Sequence, residues 1–126
     1  MAERRQHQRY PVREGEFEVF SRDSNIAGKL DNISRGGLAF HYSPLEGRRA
    51  ESETIDIMAR SPDPFFLPSV TCRTRYDIST LAEDWTFTGA ATRLTGVQFF
   101  KLDEEQEQKL TLFIKKYGLE PSEDPG

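Results

Sequence analysis

At 126 residues, 36% hydrophobic and 30% charged, the chain suits one domain with a single core. A domain of this size buries roughly two-thirds of its unfolded surface, so it needs neither a disulfide nor a structural metal, and the lone Cys72 cannot form an internal bridge. The longest apolar runs, such as 97–100 with Gln98 inside it, fall far below the ~20 residues that span a bilayer, and the net charge of −4 reads against DNA and against membrane insertion.

The first element is a short basic arm. Residues 1–13 hold Arg4, Arg5, Arg9 and Arg13 against Glu3, a net +3, whereas the other 113 residues hold 13 basic and 20 acidic side chains, a net −7. Such an arm is disposed to meet a compact anion and is too short to be a polybasic tail for duplex DNA or lipid. No leucine-rich leader is seen here, which leads to the expectation of a cytoplasmic protein.

Residues 14–119 form the expected body. Alternation with period two marks half-buried strands at Phe17 and Val19, at Leu38, Phe40 and Tyr42, at Ile55 and Ile57, at Val70 and Cys72, and at Val97 and Phe99. Turn signals separate them at 22–25, 34–37, 43–47 and 61–64. Many short strands between polar turns predict a mainly β fold, an antiparallel sheet or small barrel. The stretch from Asp77 to Thr92, polar and carrying Trp85, breaks the pattern and reads as a longer hairpin or loop.

Leu110, Phe113, Ile114 and Tyr117 then follow the spacing of an amphipathic helix over about 103–117. Asp103 is its expected N-cap, with Gln106 completing a capping box, and Glu104 and Glu105 suit the positive end of the helix dipole. Lys115 and Lys116 suit the other end, with Gly118 expected in a left-handed C-terminal position. The acidic, proline-bearing stretch 120–126 is expected to be a disordered tail.

No catalytic site can be assembled. His7 and His41 have no serine or cysteine nucleophile at a motif spacing, and Cys72 reads as a small core residue. Two histidines and one cysteine, scattered without close pairing, argue against a metal site. Phosphate-binding glycine loops of the GxxxxGK type are absent from the sequence.

Two short elements carry chemistry. Arg5 and Arg9 form an Arg-x-x-x-Arg pair preceded by Arg4; an arginine presents a planar fork that pairs bidentately with phosphate, or with the O6 and N7 edge of guanine, and stacks on a purine. Asn32 and Ser34, two apart on an extended strand, share a face where an amide and a hydroxyl can bond a base edge or a phosphate, and Gly36 and Gly37 let the backbone turn and leave space beside it. By itself each element also fits a plain surface role: a solvated pair of arginines, and a hairpin turn whose side chains satisfy its own backbone.

Taken together, Arg5-x-x-x-Arg9 and Asn32-x-Ser34-x-x-Gly37 resemble the signature of the PilZ family, bacterial receptors for cyclic di-GMP. The wording at 33–38 and the late Gly96-Val97-Gln98-Phe99 strand also resemble that family. This resemblance implies a six-stranded antiparallel β-barrel with a C-terminal helix, and a site in which Arg5 and Arg9 bind guanine and phosphate while Asn32, Ser34, Gly36 and Gly37 form the facing wall. Arg4, just before the first motif arginine, implies a stacked pair of ligand molecules. The function implied is a non-enzymatic receptor that needs no cofactor, changes conformation on binding the second messenger and signals to an unidentified effector protein in the bacterial cytoplasm. Two alternatives stand beside it: a PilZ-like protein-interaction module that binds no nucleotide, and a small barrel for single-stranded nucleic acid, which the −7 body disfavours.

Overall fold

In the computed structural model, residues 8–13, 16–43, 53–59, 64–79 and 92–119 are described. Arg4, Arg5, His7, most of the turns at 43–47 and 61–64, Trp85 and the tail 120–126 lie outside them. The strands are β1 (Tyr10–Pro11), β2 (Phe17–Ser21), β3 (Ile26–Ile33), β4 (Gly37–Tyr42), β5 (Thr54–Ala59), β6 (Phe65–Ser79) and β7 (Arg93–Phe99), followed by helix α1 (Glu104–Tyr117).

All pairings are antiparallel, in the order β3-β2-β5-β6-β7-β4, and β4 pairs back onto β3. The sheet is therefore a closed six-stranded barrel, which removes every free edge except where β1 is added. Its inward residues are those the alternation marks: Phe17, Val19, Phe40, Ile55, Ile57 and Val70 are each at most 2% exposed. Cys72 is buried among them as a small core side chain.

Closure needs curvature, and extra residues supply it. Between successive pairs β3 carries one more residue than β4 at Asp31, and β6 carries one more than β7 at Arg75. Pro68 and Ser69 of β6 together face the single residue Asp56 of β5. Pro68 is tolerated in a long central strand because a bulge does not require its missing N–H. Ser69 takes a positive φ of 58°, and its N–H donates to the buried Asp56 carboxylate at 2.8 Å.

The N-terminal pairing begins inside the stretch expected as a free arm. Tyr10 and Pro11 pair with Ile33 and Asn32, Val12 N–H donates to Asp31 O at 3.1 Å, and the Val12 side chain joins the core. Because β4 already occupies one edge of β3 there, β1 takes the other, in line with β2. The physical reason is Val12: an apolar side chain gains by burial, and it draws the flanking backbone onto the barrel.

Helix α1 covers one end of the barrel. Phe17 and Phe65 start β2 and β6 and both pair with Ala59, so they mark one rim, and Phe113 packs on both at ring distances of 5.1 and 4.7 Å. Asp103 accepts from Gln106 N–H at 2.7 Å while the Gln106 side chain accepts from Asp103 N–H, so the expected capping box is present. Gly118 differs from expectation: its φ of −68° and ψ of 131° are extended, not left-handed. Space explains the glycine, since a Cβ there would lie 2.7 Å from Ile114 O and 3.0 Å from Tyr10 Cβ.

Candidate functional site

The turn at 34–37 is built by its own side chain. Ser34 N–H donates to Gly37 O at 2.8 Å, and Ser34 Oγ accepts from Gly36 N–H at 3.0 Å. Ser34 thus does the turn-forming work open to a hydroxyl in such a loop. Gly37 then starts β4 so close to β7 that a Cβ would fall 2.2 Å from Val97 O. Glycine here serves close strand approach.

Beside this turn lies a groove of about 710 Å³, in the size range of small-molecule sites. Arg9 reaches it from the arm, and Ser34, Gly36 and Gly37 form one wall. Arg75, Tyr76, Gly96 and Gln98 of β6 and β7 form a second, adjoining wall, with Gln98 the register partner of Gly37. The motif halves that lie among the described residues, Arg9 and the 34–37 turn, therefore meet at one place.

Asn32 behaves differently. It does not line the groove, and its Oδ1 is buried with no hydrogen-bond partner among the described residues. Its register partners are Pro11 of β1 and Ala39 of β4. Arg4 and Arg5 lie outside the described residues.

The sequence reading missed the groove's other cations. Among the described residues Arg35, Arg75 and Lys101 line it with Arg9, against the single carboxylate of Glu107. On a body of net charge −7 this is a local reversal of sign, which focuses an anion toward the groove. Arg35 sits inside the motif and was legible in principle, whereas Arg75 and Lys101 are distant in sequence. Lys101 holds a positive φ of 58°, a conformation uncommon outside glycine, at the junction of β7 and α1.

The β6 bulge shapes the second wall. Arg75 is the extra residue, and its NH1 donates to Gln98 Oε1 at 2.9 Å. Tyr76 follows it, with its ring where a Gly96 Cβ would stand: the ring carbons Cε2 and Cζ lie 2.4 Å from that point. The carbonyl of Tyr76 accepts from the fully buried Thr95 hydroxyl at 2.9 Å, so the displaced backbone keeps a partner.

Elsewhere the reactive residue types have structural partners. His41 Nδ1 lies 3.0 Å from both carboxylate oxygens of Asp31, across the β3–β4 pair. The Cys72 thiol is pushed up to about 12, by burial first and then by the charges of Asp23 and Glu53, so it stays protonated. Among the described residues no three His, Cys, Asp or Glu side chains gather as metal ligands, and no helix is long and apolar enough to cross a membrane.

A closed six-stranded antiparallel barrel with a C-terminal helix on its rim, and an Arg-bearing N-terminal stretch beside a glycine turn, is the architecture of a PilZ barrel. The chain belongs to the PilZ domain family, whose model matches residues 3–116. Among solved structures it is similar to the PilZ domain of YcgR from Escherichia coli, solved with c-di-GMP, with a TM-score of 0.68 at 14% identity over 91% of this chain and 92% of that one. It is similar also to a K. pneumonia MrkH–c-di-GMP complex, with a TM-score of 0.65 at 11% identity over 91% of this chain and 52% of that one. The Bacillus subtilis inhibitor of motility MotI/DgrA gives 0.58 at 15% identity, over 91% and 51%. This chain thus spans nearly all of the YcgR domain structure and about half of the MrkH and MotI chains. At these identities the likeness is one of fold. No curated protein matches the chain.

Proposed function

We propose that this protein is a cyclic di-GMP receptor of the bacterial cytoplasm that binds the dinucleotide in the groove between the arm and the 34–37 turn. The observation that carries the reading is the meeting of Arg9 with Ser34, Gly36 and Gly37 around one cation-rich groove on an otherwise acidic body. Membership of a family whose solved relatives include c-di-GMP complexes supports it.

In this reading Arg5 and Arg9 hold phosphate and guanine, and Arg4 admits a second, stacked ligand molecule. Ser34, Gly36 and Gly37 present the turn against which the ligand rests. Asn32, expected to contribute an amide, is set back from this groove, and its buried Oδ1 has no hydrogen-bond partner among the described residues. The closed arm and the barrel then form a surface that an effector protein reads; no bond is made or broken.

Titration calorimetry with cyclic di-GMP, against GTP and a short oligonucleotide, is the direct test. Micromolar or tighter binding is expected, on the order of −8 kcal/mol. Arg9→Ala abolishes it, and Arg9→Lys weakens it severely because lysine lacks the planar fork. Arg4→Ala changes the stoichiometry. A wild-type protein that binds no cyclic di-GMP would overturn the reading and leave the fold untouched.

A further inference from the structure

The wall adjoining the motif turn is chemically one-sided, and its placement is made by the bulge. Arg75 is the residue of β6 for which β7 offers no partner, and bulges commonly re-aim a side chain toward a site. Arg75 and Gln98 both line the groove, both are exposed, and Arg75 NH1 donates to Gln98 Oε1 at 2.9 Å. A guanidinium has donors only, so this contact occupies one of the two lone pairs of the amide oxygen and turns the oxygen toward Arg75, leaving the NH2 for a ligand. What the pair presents to a ligand is therefore rich in donors: the remaining N–H groups of Arg75 and the NH2 of Gln98, against one lone pair left on the Gln98 oxygen.

Such a set of donors selects among bases. The exposed edge of guanine carries two acceptors, N7 and O6, whereas adenine keeps N7 but replaces O6 with an amino donor. Donors facing donors leave both unpaired and desolvated, which a groove penalises. Resting on the reading of this groove as a cyclic dinucleotide site, the geometry points to Arg75 and Gln98 as the element that reads the base and selects guanine over adenine, while the arm supplies charge and closure. The cavity at Gly96 that seats the Tyr76 ring keeps the bulged segment against β7, so the pair's spacing is set by the barrel.

The test is the ratio of dissociation constants for cyclic di-AMP and cyclic di-GMP, measured by calorimetry on the full chain. The wild type is expected to prefer cyclic di-GMP by at least about 10-fold. Arg75→Ala weakens cyclic di-GMP binding roughly 10- to 100-fold, the span of a lost bidentate base contact, and brings the ratio near one. Arg75→Lys keeps the charge but not the fork, so the ratio falls here too. Gln98→Glu, which places acceptors where the donors stood, lowers the ratio independently. Lys109→Ala is the control: Lys109 is exposed on α1 and does not line the groove, so its loss removes the same charge while leaving the ratio unchanged. An Arg75→Ala or Arg75→Lys protein with the wild-type ratio overturns this assignment and leaves the receptor reading standing. A wild type that binds neither dinucleotide overturns both.

Discussion

Asp23, in the turn between β2 and β3, accepts the backbone N–H groups of Glu53 at 2.8 Å and Thr54 at 2.9 Å, and so fastens the entry of β5 to a distant turn. Those bonds, the one from Glu53 foremost, hold its carboxyl below the ordinary value of 3.8, against a smaller effect of burial. A carboxyl whose folded pKa lies below its unfolded one stabilises the fold above about pH 4 and loses that contribution as pH falls through the folded value. Asp23→Asn keeps an acceptor without the charge. Its denaturant midpoint is expected below the wild type's at neutral pH and to converge with it as the pH drops below 4; parallel curves would contradict the assignment. At this scale the site was half legible. Arg9 and the 34–37 turn are local motifs, and their chemistry could be read from neighbouring letters. Arg75 could not, because its position depends on the register between β6 and β7, which is a property of two strands and not of either.

The elements divide along the same line. Strands β2, β4 and β7 carry no extra residue, and their large inward side chains, Phe17 and Val19, Leu38, Phe40 and Tyr42, Val97 and Phe99, could be named from the sequence. In β3 the buried residues run Leu30 then Ile33, and in β6 Leu67 then Val70, a step of three in each case because a bulge shifts the faces. Period-two counting loses the thread there. β1 is two residues long and contains proline, too little for any pattern, and only β3 reveals it. Helix α1 was the most legible element because caps and apolar spacing are both written locally. Its hold on the barrel rests on Phe113, which touches Phe17, Phe65 and Tyr117 at ring distances of 4.7 to 5.2 Å. Phe113→Ala is expected to destabilise the domain by about 3–5 kcal/mol in urea unfolding, the range for truncating a buried aromatic side chain. A loss below about 1 kcal/mol would mean that the helix is dispensable to the barrel.

For the molecule as a whole, charge placement matters more than the total. The body is acidic, yet Arg35, Arg75 and Lys101 gather on the groove that Arg9 enters, so a small anion is drawn to one place and an extended polyanion meets repulsion elsewhere. Ligand binding that closes the arm is expected to slow amide exchange across residues 1–9, which precede β1; unchanged exchange there in saturating cyclic di-GMP would show that Arg9 meets the ligand without any closure. The arm is also joined to the far end of the chain. Leu119 N–H donates to Pro11 O at 2.8 Å, and the Tyr10 side chain fills the space that Gly118 leaves open. The residue after Arg9 is thereby stitched to the residues that end α1, so that on the proposed reading a dinucleotide held by Arg9 would bear on that junction. The proposed receptor is then expected to report occupancy outside its groove: a fluorophore at Leu119, which is 42% exposed and does not line the groove, should change its emission on addition of cyclic di-GMP.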